Sequence, residues 1–80
     1  MYVPAVKEIS GPYRFFFVSF DCIEPEHVHV TRDNAECKFW LTPVALAWGD
    51  GFSSRELTFI RRIVEAKIEL ILGAWNEHCN

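Results

Sequence analysis

Eighty residues with a formal net charge of −3, half of them apolar and 15% aromatic, make a single domain over residues 1–80, near the size at which a core alone is marginal. The acidic balance excludes a general attraction to nucleic acid, which rests on Lys and Arg neutralising phosphates. No basic segment followed by an apolar one opens the chain and its wholly apolar runs are short, so neither a signal peptide nor a spanning helix is expected, and a cytoplasmic protein is.

In chain order the pattern is one of short β-like runs followed by one long helical run. Val3 to Ile9 and Tyr13 to Phe20 flank Ser10-Gly11-Pro12, a turn signal, and the second run carries Phe on both parities, as in a strand covered on both faces. The next two strands fix a register. Asp33-Asn34 tolerates the positive φ of a tight hairpin, which sets Val28 opposite Phe39 and Val30 opposite Cys37 on one side. His27 opposite Trp40 and His29 opposite Lys38 then fall on the other. The apolar side is the expected core. The strands thus lie within residues 1–42, and residues 43–52 read as a connection.

The helix is expected over 53–78. Ser53 to Glu56 forms a capping box, and Phe52 with Leu57 a hydrophobic staple. Leu57, Ile60, Val64, Ile68, Ile71 and Trp75 recur at helical spacing and predict the stripe that covers the sheet. Phe59, Ile63, Ala66 and Leu70 form a second apolar flank, which one sheet face cannot also cover. The fold class is therefore α+β: a small antiparallel sheet of about four strands, order β-β-β-β-α, with one long C-terminal helix packed on one face. Arg61, Arg62 and Lys67 read as a solvated face beside Glu65 and Glu69. Cys22, Cys37 and Cys79 are an odd number at unrelated spacings, which predicts reduced thiols, with Cys37 buried.

Five ordered motifs, G-P-Y-R-F-F-F (11–17), E-P-x-H-V-H-V (24–30), K-F-W-L (38–41), G-F-S-x-x-E-L (51–57) and A-W-x-E-H (74–78), cover nearly the whole chain. Together they resemble the small bacterial domain of unknown function 4160 family. The resemblance implies a short stand-alone protein, often beside another small protein in the manner of a toxin-antitoxin pair, and implies no reaction. Its signature positions here are Tyr13, Arg14, Glu24, Pro25, His27, His29, Lys38, Trp40, Glu56 and Trp75. Glu26 and Trp48 depart from its pattern.

His27 and His29 stand among Asp21, Glu24 and Glu26, and three chemistries compete for them. A metal reading takes His27, His29 and Glu24 as two imidazoles and a carboxylate around a divalent ion, opposed by the neighbouring cation Lys38. A nucleolytic reading makes one imidazole a general base and the other a general acid, with Lys38 or Arg14 stabilising a phosphate and Trp40 stacking a base; RNA is then the substrate despite the net charge. The third takes both histidines as polar cross-strand residues of a binding protein that needs no cofactor. Under this reading, which the sequence favours, a toxin-like effector of a two-gene module binds a small cognate protein encoded nearby, a second copy of itself, or both. Phe59, Ile63, Leu70, Trp40 and Trp75 are the expected interface. The sequence does not decide whether the protein is an enzyme. An open pocket around the histidines would favour chemistry, and their burial would favour binding.

Overall fold

A computed structural model describes residues 5–6, 9, 11–18 and 21–79. Four strands, β1 (Arg14–Phe16), β2 (His27–Arg32), β3 (Ala35–Leu41) and β4 (Val44–Asp50), form one antiparallel sheet in the order β1-β2-β3-β4. Two helices follow, α1 (Ser54–Ala66) and α2 (Ile68–Cys79), so the α+β class holds. The expected first strand, Val3 to Ile9, falls mostly outside the described residues. Within them, Ala5 bridges Phe16, and the Val6 N–H donates to the Phe15 carbonyl at 2.8 Å.

The register between β2 and β3 is the expected one: Val28 faces Phe39, Val30 faces Cys37, His27 faces Trp40 and His29 faces Lys38. Asp33 takes φ 56° in the connecting turn, the left-handed conformation that Asp and Asn tolerate best after Gly. Phe15, Val28, Val30, Cys37, Phe39 and Leu41 are all buried, and with Ile60, Val64, Ile71 and Trp75 they build the core. Each such large apolar side chain contributes roughly 1.5–3 kcal/mol on leaving water.

Two expectations are corrected. Residues 43–52 are not a plain connection, because Val44–Asp50 is a seven-residue strand. A shift between Lys38 and Phe39 leaves Ala47 as an extra residue. Such a bulge re-aims the side chains on either side of it: Leu46 pairs with Phe39 on the helix side, whereas Trp48 pairs with Lys38 on the opposite side. At the end of the strand Gly51 sits at φ 90°, where a Cβ would also come within 3.1 Å of Ala35, so glycine is required there.

The long helix is also two helices. Lys67 has φ −110° and ψ 21°, away from α-helical values, although its N–H still reaches the Ile63 carbonyl and its own carbonyl accepts from Ile71. A straight helix of this length would run about 37 Å, whereas the longest dimension of the molecule is 34 Å. Bending at Lys67 keeps Ile60 and Val64 of α1, and Ile71 and Trp75 of α2, in one core. The start of α1 is as expected: the Ser53 hydroxyl accepts from the Glu56 N–H at 3.1 Å. The Glu56 carboxylate turns away from the cap to accept from the Tyr13 hydroxyl and pair with Arg32.

Candidate functional site

The two histidines are sealed rather than open. His27 is fully buried and His29 only 9% exposed. Both rings meet Asp21, on a 3-10 turn, η1 (Asp21–Ile23), that closes over the start of β2. The His27 Nε2 is 2.9 Å from Asp21 Oδ1, and the His29 Nε2 lies 3.3 Å from Oδ1 and 3.2 Å from Oδ2. On its far side the His27 Nδ1–H donates to the Pro25 carbonyl at 2.8 Å. Trp40 presents an edge to the His27 ring, Trp75 tilts against it at 5.1 Å between centroids, and Phe16 stacks on His29 at 5.4 Å.

Asp21 is held from three sides. Its Oδ2 accepts from the Val18 N–H at 2.8 Å. The next residue, Cys22, is disulfide-bonded to Cys79 at the end of α2, and His78 contacts the Val18 carbonyl through Nε2 at 3.0 Å. The disulfide corrects the expectation of three reduced thiols: the fold brings together two cysteines 57 residues apart, which spacing alone cannot reveal. The remaining thiol, Cys37, is buried, and that burial with Glu36 nearby pushes it up to about 12, so it is no nucleophile at neutral pH. Burial alone would raise the Asp21 carboxyl, but the Val18 N–H and then the two imidazoles outweigh it, and the group titrates below its ordinary value.

The other candidate residues do not converge on this cluster. Glu24 binds Lys38, which holds its carboxyl below the usual range. It approaches His27 only at 3.8 Å and on the Nδ1 side, so Asp21 occupies the position that the sequence assigned to Glu24. The Lys38 ammonium sits over the Trp40 ring at 4.5 Å, and the Arg14 guanidinium over Phe16 at 5.6 Å. Among the expected interface residues, Trp75 is in the core, Ile63 and Leu70 are half-buried against it, and Phe59 is exposed beside Tyr13. Trp40 is half-buried and lines a groove of about 300 Å³ with Pro25, Glu26, Thr42, Pro43 and Ala45.

Two features escaped the sequence reading. Asp21 is visible as a carboxylate before the H-V-H pair, but six residues from His27 it is joined to it only by a turn that sequence does not place. Trp48 is 42% exposed on the side of the sheet opposite the helices, where it tilts toward His29. Phe16 and Trp40 lie on the same face, where Lys38 is paired with Glu24 and the exposed Arg14 lies over Phe16.

These elements define a small α+β domain: a four-stranded antiparallel sheet with a helix pair on one face and a carboxylate-imidazole cluster sealed at one end. The chain belongs to the family described as Domain of unknown function (DUF4160), whose match covers residues 13–76. No curated protein and no solved structure matches it. Among the described residues no helix is long and apolar enough to cross a membrane.

Proposed function

We propose that this protein is a protein-binding module, the toxin-like member of a two-gene module, which works by docking a cognate protein on the sheet face opposite α1. The observation that carries this reading is the contrast on that face, where the histidines are closed off while Trp48 is exposed and Phe16 and Trp40 are half-buried. A general acid or base must reach its substrate's proton, and a fully buried His27 does not. Aromatic side chains with few unpaired charges are what the centre of a protein interface uses. The Lys38 charge on that face is neutralised by Glu24, which suits a protein surface better than a polyphosphate.

Co-expression with the protein encoded by the adjacent gene tests the reading. The expected result is a stable complex that Trp48→Asp disrupts and Arg62→Ala does not, with the Trp48 variant still folded by circular dichroism. RNA cleavage by the purified wild-type chain, or a complex indifferent to Trp48, would overturn it. Self-association through Trp48, seen by sedimentation in place of a complex, would replace the cognate protein with a second copy.

A further inference from the structure

We propose that Asp21, His27 and His29 bind a divalent first-row transition-metal ion, zinc being the type, which clamps the η1 turn to β2. One ligand atom from each of these residues lies within 4.8 Å of the others. The edges of 2.9 and 3.3 Å from Asp21 Oδ1 to the two Nε2 atoms lie close to the roughly 3.3–3.6 Å between tetrahedral ligands each about 2.0–2.2 Å from one ion, the shorter edge a few tenths of an ångström inside it. Hydrogen bonding alone leaves this arrangement incomplete. The His27 Nε2 is fully buried and has no hydrogen-bond partner, despite the carboxylate oxygen 2.9 Å away. The oxygen lies off the ring's Nε2 axis, as two donors do when both point at a third atom. The His27 ring commits its Nδ1–H to the Pro25 carbonyl, so its close Nε2–Oδ1 approach is favourable only with a second ring proton, which the geometry does not use in a hydrogen bond, or with a cation between the two atoms.

The surroundings of the three donors are those that orient metal ligands from behind. The His27 Nδ1–H is fixed by Pro25, and the far oxygen of Asp21 by Val18. The His29 Nδ1, buried without a hydrogen bond, faces Glu36 Oε2 at 3.6 Å, a carboxylate one small side-chain shift from accepting its proton. Two imidazoles and one carboxylate suit zinc, cobalt or nickel better than magnesium or calcium, which favour all-oxygen sites. The objection that Lys38 repels a metal loses force, because its ammonium is held by Glu24 over the Trp40 ring. A second cluster, Cys22, His78 and Cys79, is not the site, since its two sulfurs are bonded to each other. This inference is independent of the partner-binding reading, and either can fail alone.

The test uses the full-length oxidised protein, stripped with a chelator and titrated with Zn²⁺ by calorimetry and with Co²⁺ by absorption. One saturable equivalent is expected, with cobalt d–d bands, no thiolate charge-transfer band, and a higher melting temperature with zinc bound. On adding Co²⁺ to the wild type, the ring protons of His27 and His29 should shift paramagnetically more than those of His78. Asp21→Asn and His29→Gln should each weaken uptake at least tenfold, whereas Glu69→Gln, on the exposed side of α2, should leave it unchanged. Absence of saturable uptake by the wild type would overturn the proposal in favour of a metal-free, protonated imidazole pair. A thiolate band, a dominant His78 shift, or full uptake by a folded Asp21→Asn variant would also overturn it.

Discussion

On one face of the sheet Val28, Val30, Cys37 and Phe39 meet Ile60 and Val64 of α1; on the other, one strand position away, His27 and His29 meet Asp21 while Trp48 meets solvent. Both faces follow from one hairpin register, yet they are closed by different means. The helical face is closed by apolar burial, which tolerates no gap. The opposite face is closed only at one end, by Trp75 of α2 and by a turn carrying a carboxylate and tied down by a disulfide. Alternation in a strand therefore assigns residues to faces, but what covers each face depends on segments distant in sequence.

The sharpest way to break this comparison is Phe39→Ala. It removes a ring at the centre of the helical face and should cost about 3–5 kcal/mol, a large share of the stability of a small domain. Urea unfolding measures it. A loss below about 1 kcal/mol would mean that the helices do not bear on this face.

Opening the disulfide at the other end should have the next largest effect. In the chain-entropy description, a loop closed across 57 residues contributes about 4 kcal/mol, with about 2–4 typical of measured bridges. The Cys22→Ser, Cys79→Ser variant should therefore melt well below the wild type. Loosening η1 should also expose the ring protons of His27 and His29 to solvent, while the Val30 and Phe39 amides keep their exchange protection. Acid sharpens the same contrast. Because the Asp21 carboxyl is lowered in the fold, the stability it contributes is fully present above its unfolded value of about 4 and is lost as pH falls through its lowered folded value. Asp21→Asn should flatten that part of the stability profile, whereas Phe39→Ala should shift the whole curve without changing its shape.

What the sequence made legible, and what it hid, divides along the same line. The β2–β3 register, the core side of that hairpin and the Ser53 cap rest on contacts between near neighbours, and local chemistry specifies them. Strand β4 was hidden because the bulge at Ala47 breaks the alternation of Val44-Ala45-Leu46-Ala47-Trp48, and Pro43 and Gly49 read as loop residues. The break at Lys67 was hidden because no Pro or Gly marks it; tertiary packing bends the helix. Asp21 and the Cys22–Cys79 bond were hidden because loop closure, not periodicity, brings them to the site. The two histidines singled out in the sequence lie together in the fold, but against Asp21 rather than Glu24.

The Ser53 cap is a smaller, local test of the helical side. Its hydroxyl satisfies one of the N–H groups that α1 leaves unpaired at its start, so Ser53→Ala should cost about 0.5–2 kcal/mol. The loss should appear as earlier amide exchange in the first turn. A neutral result would mean that the Glu56 contacts to Tyr13 and Arg32 hold the helix start without the cap.

The smallest expected effect on stability is also the most informative about function. Trp48 stands 42% exposed on an edge strand, opposite Lys38 rather than a core residue, and its only aromatic neighbour among the described residues is His29 at 6.4 Å. A side chain so placed has little to lose on truncation, so Trp48→Ala should change stability by no more than about 0.5 kcal/mol, as surface substitutions usually do. Interface anchors behave differently: truncating a Trp at the centre of a contact commonly costs about 2 kcal/mol or more of binding free energy, near thirtyfold in affinity. The variant should therefore unfold in urea like the wild type, yet release the cognate protein at least tenfold more readily by surface plasmon resonance. If it instead loses stability on the scale of Phe39→Ala, Trp48 is part of a second core, and the two faces of the sheet are less different than their exposure indicates.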